Sequence, residues 1–249
     1  MDTWIKLNAS TTGKDKLFRL VQYLSRLLWY RLESRKHLRD TVHRLRVLEA
    51  SISTFRKLLR VGKSLEVIYG ALHTLHLPDV VLRTSLTLSR IYQAFFLLAD
   101  HIVWLGRAGL CEIDRDKWGR LSNRFWLGAI ICNLFRDAYE ILQLLQKKMK
   151  HMDLLTTPTT TTTTCGYSTL PVVRTMYHNV PWCRPVVYLA DTHRDILWDT
   201  VKNLCDLCIP LANLGHTGMS SGTVGLMGSV SSVAGIISVL DPLARMAPT

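Results

Sequence analysis

The sequence predicts an all-α, membrane-associated bundle of amphipathic and apolar helices with a C-terminal transmembrane helix. Three observations lead there. Leu207 to Leu240 carries no Asp, Glu, Lys or Arg. Its last part, Gly222 to Leu240, would run about 28 Å as a helix, close to the ~30 Å hydrocarbon thickness of a bilayer. Elsewhere apolar residues recur at helical spacing. The rest of the chain is rich in charge, and the charge is uneven: of a formal net +12, residues 1–65 hold 15 Lys/Arg against 5 Asp/Glu.

The first helix is predicted over Leu17–Leu32. Leu17, Leu20, Val21, Leu24, Leu27 and Leu28 make the i, i+3, i+4, i+7 stripe of an amphipathic helix. Lys14, Lys16, Arg19 and Arg26 fall between them. One reading is an interfacial helix, with the leucine stripe in the headgroup boundary and the four cations on anionic lipid. The other is a helix packed on its neighbours with a solvated basic face. Arg39–Leu59 is the second helix. Leu45, Leu48, Ile52, Phe55 and Leu59 give a short a/d seam, suited to a hairpin with the first helix or to self-association.

Val80–Leu105 is a long apolar helix with Asp79 as its N-cap. Arg83, Arg90, Asp100 and His101 make it a marginal span, because each intramembrane charge costs roughly 2.5–3.5 kcal/mol. A buried helix fits it equally. Asp114–Leu145 follows. Its apolar run Leu127–Phe135, bracketed by Arg124 and Arg136, is too short to cross a bilayer. Arg136, Asp137 and Glu140 are spaced to pair within the helix. The Thr/Pro tract at Thr156–Thr164 has no apolar period and reads as linker. Three regions result: a helical amphipathic membrane-remodelling region (1–146), a low-complexity linker (147–190) and a C-terminal helix with its anchor (191–249).

Arg194–Leu211 resumes helical spacing, and Pro210 with Gly215 marks a turn before the anchor. In the segment that follows, Gly218, Gly222, Gly225, Gly228 and Gly235 set small residues four apart, a spacing that lets helix backbones approach in lipid. The same glycines offer a route to self-association.

Chemistry-bearing motifs are few. There is no HExxH and no nucleophile elbow, no phosphate loop, and no carboxylate pair placed for acid–base work. Cys205 and Cys208 form a lone CxxC without the further ligands a zinc site needs. The reading is a non-enzymatic protein with no cofactor and no metal. A basic block suits nucleic acid or an anionic membrane. Its interleaving with a leucine stripe selects the membrane, so nucleic acid is not an expected partner.

Several stretches carry a family resemblance in their order along most of the chain. They are Met1-Asp-Thr-Trp-Ile-Lys, Arg56-Lys-Leu-Leu-Arg-Val-Gly62, Leu77-Pro-Asp-Val-Val-Leu-Arg83, Trp118 with Phe135-Arg-Asp-Ala-Tyr-Glu-Ile141, Asn203-Leu-Cys-Asp-Leu-Cys-Ile-Pro-Leu211 and Gly222-Thr-Val-Gly-Leu-Met-Gly228. The chain resembles the peroxin-11 family of peroxisomal membrane proteins, in its animal beta-like form; residues 147–190 depart from it. The resemblance implies an integral protein of the peroxisomal membrane with a cytosolic N-terminus. It implies a role in peroxisome elongation, proliferation and fission through an inserted amphipathic segment, here Leu17–Leu32. It also implies self-association and recruitment of the fission machinery, a tail-anchored adaptor and a dynamin-like GTPase. With two spans and both ends cytosolic, Val80–Leu105 would be the first span. A pore for small metabolites is the alternative function, with Arg90, Asp100 and Arg136 facing water.

Overall fold

Ser10 opens the first long helix, its hydroxyl accepting from the Gly13 amide at 3.0 Å. That donor is one of the four that a helix start leaves without a backbone partner. The structure, a computed structural model, describes residues 7–156 and 193–240. Its helices are α1 (Thr11–Leu32), α2 (Arg39–Leu59), α3 (Lys63–Thr74), α4 (Val80–Arg107), α5 (Arg115–Thr156), α6 (Arg194–Asn213) and α7 (Ser221–Leu240). A short 3-10 turn, Lys36–Leu38, joins α1 to α2. Among the described residues there is no strand. Asp79 caps α4 as predicted, accepting from the Val81 and Leu82 amides at 2.8 and 3.3 Å. Asp114 does the same for α5 through the Asp116 and Lys117 amides.

Two boundaries differ from the sequence reading. Residues up to Thr156 continue α5, so the helix runs into the segment read as linker; residues 157–192 lie outside those described. Pro210 lies within α6 and is buried, and the turn falls at Gly215, whose φ of +76° favours glycine. Proline removes one intrahelical donor near the C-terminal end of α6 without ending the helix there.

The helices pack as a ring. α1 lies between α2 and α7, α7 against α6, α6 against α5, and α5 against α4. α4 carries α3 and returns to α2, which closes the circuit through a light contact. Stacked rings hold α4 to α5: Phe95 on Phe125 at 5.4 Å between centroids, and Phe96 on Trp126 at 5.7 Å. Ser89 adds a hydrogen bond to Asn133 at 2.6 Å.

The ring buries more charge and exposes more large apolar side chains than a water-soluble bundle does. Asp15, Arg19, Gln22, Glu49, Arg56 and Asp100 are among the buried side chains. Leu24, Leu28, Leu65, Tyr69, Phe95 and Phe135 are among the exposed ones. Soluble proteins almost never bury charged groups unless they are paired, and large contiguous apolar surface marks a contact with another phase or partner. Here the interior joins a polar network to buried apolar side chains such as Leu97, Ile130, Ile209 and Val224, and much of the outside is apolar. α7 is the one described helix long and apolar enough to cross a membrane.

Candidate functional site

α1 presents two stripes. Asp15, Arg19, Gln22 and Arg26 are spaced 4-3-4, so they share one face. That face turns inward. Arg19, only 5% exposed, donates to both oxygens of Asp206 on α6, with Nη1 to Oδ2 at 3.3 Å. The same carboxylate accepts from the Ser231 hydroxyl of α7, so one group ties three helices. Burial opposes ionisation of Asp206, but the Arg19 guanidinium outweighs it and holds the carboxyl below its usual range.

Towards α2 the pattern repeats. Glu49 and Arg56 share a buried heptad stripe with Val42. Glu49 accepts from Arg26 Nε at 2.6 Å and from Trp29 Nε1 at 2.7 Å. Arg56 donates to Asp15 at 2.9 Å and to Gln22 at 2.7 Å. Burial raises the Asp15 carboxyl, yet Arg56 and Arg60 prevail and keep it at about 2. The contact of α2 with α4 is polar too. Lys57 and Arg60 both reach Asp100, Arg60 Nη2 at 2.8 Å, and His101 Nε2 lies 2.9 Å from the Arg60 carbonyl. On the far side, Arg136 bridges Asp137 and Asp199, and Asn203 donates to Asp137 at 2.7 Å. The Arg136–Asp137 pairing lies within α5 as the spacing suggested, and Asp199 extends it to α6.

The ring encloses a cavity of about 920 Å³. Four lysines and seven arginines line it, against the carboxylates Asp15, Asp100, Asp116 and Asp206. Arg115, Asp116 and Arg120, at the start of α5, are both exposed and part of the lining, so they form its mouth.

The predicted site residues separate accordingly. Val21, Leu24 and Leu28 are 43%, 40% and 50% exposed, while Leu17, Leu20 and Leu27 are half-buried. The Val21–Leu24–Leu28 edge of the stripe thus faces outward, while Leu27 lies against α7. Of the four cations assigned to headgroups, Lys14 is exposed. Lys16 lines the cavity, Arg19 is bound to Asp206 and Arg26 to Glu49, so these three turn away from the outer surface. The solvated basic face of the alternative reading is likewise absent at these three positions, because their carboxylate partners or the cavity lie on other helices.

The glycines act at the α1–α7 contact. A Cβ on Gly222 would fall 2.3 Å from the Tyr30 ring, and one on Gly228 equally close to the Tyr23 ring. At Gly225 it would meet the Leu27 backbone nitrogen at 2.8 Å, and at Gly235 the Lys16 chain at 3.0 Å. Those partners descend along α1 as the glycines ascend α7, so the two helices run antiparallel. Gly218 precedes α7 and has open space where a Cβ would stand. The glycine face is therefore filled by the chain's own α1. Along α2, Leu48 and Phe55 of the a/d seam stay exposed, although Phe55 meets Phe18 of α1 edge-on at 5.1 Å.

Sequence reasoning missed Glu49, Asp206 and Ser231 as partners. The 4-3-4 polar stripe of α1 was a signal that an inward seam existed, but nothing local names a partner 187 residues away.

Comparison with known proteins gives the family. A family model described as peroxisomal biogenesis factor 11 (PEX11) matches residues 1–240. Peroxisomal membrane protein 11B of Homo sapiens is 34% identical over 226 residues, covering 86% of this chain and 87% of that protein. Peroxisomal membrane protein 11A of Bos taurus is 32% identical over 220 residues, covering 86% of each. Peroxisomal membrane protein 11 homolog of Dictyostelium discoideum is 30% identical over 160 residues, covering 63% of this chain and 61% of that protein. No solved structure matches. Helical throughout its described secondary structure, with one described helix long and apolar enough to cross a membrane, and matched over nearly its whole length, the chain belongs to the peroxisomal biogenesis factor 11 family.

Proposed function

We propose that this chain resides in the peroxisomal membrane with its N-terminus in the cytosol and drives peroxisome elongation, proliferation and fission by wedging α1 into the cytosolic leaflet. The outward leucine stripe of α1 is the observation that carries the reading. An apolar face entering one leaflet expands that leaflet and favours positive curvature, and its binding scales with the apolar area buried. The ion pairs of Arg19, Arg26 and Asp15 support this mechanism. They fix the polar face on the protein, which leaves the apolar face for lipid. Lys14 is placed to meet anionic headgroups, while α7 anchors the assembly.

Self-association raises local density until tubules form, and the exposed Leu48–Phe55 side of α2 is its proposed surface. Recruitment of a fission adaptor and a dynamin-like GTPase completes the process. The test uses the full chain, because an isolated α1 would lose Asp206 and Glu49, the carboxylates that Arg19 and Arg26 bind. Reconstituted into liposomes containing anionic lipid, the protein is expected to draw tubules, and Leu24→Glu with Leu28→Glu is expected to abolish them. Equal tubulation by the double variant overturns the wedge.

The polar cavity favours a second reading, a pore for small metabolites. It predicts solute flux through proteoliposomes that persists in the Leu24→Glu/Leu28→Glu variant.

A further inference from the structure

The cavity holds more positive charge than its carboxylates balance. Eleven cationic side chains line it against four aspartates. Several of the cations are committed: Arg19 to Asp206, Arg56 to Asp15, Lys57 and Arg60 to Asp100, and, with carboxylates outside the lining, Arg26 to Glu49 and Lys202 to Asp199. Others are not. Among the described residues, Lys16, Arg115 and Arg120 have neither a hydrogen-bond nor an ion-pair partner, and all three line the cavity. An unpaired cation withdrawn from water costs several kcal/mol unless an anion joins it or the group gives up its proton. Lys16 shows that tension: burial, then repulsion from Arg19 and Lys202, pulls its ammonium down to about 7.

We propose that this cavity is a binding site for a phosphate-bearing polyanion. Phosphate suits the donors, because arginine forks pair bidentately with its oxygens and lysine supplies a compact charge beside them. The volume, about 920 Å³, accommodates a small organic phosphate or the headgroup of a phosphorylated lipid. The path is graded. Arg115 and Arg120 at the mouth, with Asp116 the one acidic group beside them in the lining, attract an anion from solution, and Lys16 receives it inside. This site is independent of the wedge, since it uses the inward face of α1 rather than the leucine stripe.

The experiment titrates inorganic pyrophosphate into the full chain held in nanodiscs of phosphatidylcholine, by calorimetry at low salt. Saturable binding is expected, weakened about tenfold or more by Lys16→Met and by Arg115→Gln with Arg120→Gln. Arg44→Gln, on the outer surface and away from the cavity, is expected to bind as the unaltered chain does. A second disc adds phosphatidylinositol bisphosphate. Loss of pyrophosphate binding there assigns the cavity to a lipid headgroup, and retention assigns it to a soluble phosphate. The mouth variants keep the test sharp if Lys16→Met fails to fold, because Arg115 and Arg120 are exposed and unpaired. Absence of saturable binding, equal binding by the mouth variants, an equal loss in Arg44→Gln, or displacement by equimolar chloride overturns the proposal.

Discussion

Arg19 and Asp206 are each 5% exposed, so neither has water to fall back on. Their pairing is not in itself a large source of stability, since the desolvation of both ions offsets most of the attraction. What it supplies is a penalty for separation. Asp206→Ala strands a guanidinium among Tyr23 and Trp126, whose rings lie 5.6 and 5.8 Å from it, and leaves Ser231 without its acceptor. The expected cost is about 3–5 kcal/mol, read as a lowered unfolding midpoint in detergent. Arg19→Met combined with Asp206→Leu is expected to recover most of that loss, because it removes both charges and keeps similar volume. If the double variant is no more stable than Asp206→Ala, the destabilisation does not come from the orphaned charge.

At the scale of elements, the α1–α7 contact depends on what the glycines lack. Gly225 faces the backbone of Leu27, which cannot rotate away as a side chain can. Gly225→Ala therefore separates the helices, and a loss of about 1–3 kcal/mol is expected even though alanine is the better helix former. Gly218→Ala, with open space around it, is the matched control and should be near neutral. Comparable losses at the two positions would mean that backbone freedom, not close approach, explains the glycines. The sequence made the helices themselves readable. Leucine spacing located α1, Asp79 marked the start of α4, and the charge-free run outlined α7. It did not show which side of α1 faces in. Periodicity defines a stripe but not its surroundings, and on α1 it is the polar stripe Asp15, Arg19 and Gln22 that turns inward. The interfacial reading sets Lys16, Arg19 and Arg26 beside the stripe on lipid headgroups, whereas their partners and the cavity lie on the other side of the helix.

At the scale of the whole molecule, a ring of helices is only as closed as its lightest seam. Aromatic stacking and backbone approach join α4 to α5 and α1 to α7, whereas α2 meets α4 chiefly through Asp100. That carboxylate gathers Lys57 and Arg60, and two further bonds cross the seam, Arg107 to Thr54 at 3.1 Å and His101 Nε2 with the Arg60 carbonyl at 2.9 Å. The ring therefore opens first between α2 and α4, where charge does the holding. Asp100→Asn keeps the shape and removes the charge, leaving two inward cations to repel each other. Amide hydrogen exchange in α2 is expected to accelerate about 100-fold, the equivalent of roughly 3 kcal/mol lost from local opening. Exchange in α5 and α6, held together by the separate Arg136–Asp137–Asp199 cluster, is expected to stay as it was. Uniform acceleration across all helices would mean that the bundle opens as one unit and that Asp100 acts on global stability. Unchanged exchange in α2 would mean that its packing on α1, through Glu49 and Arg56, suffices to keep the ring shut.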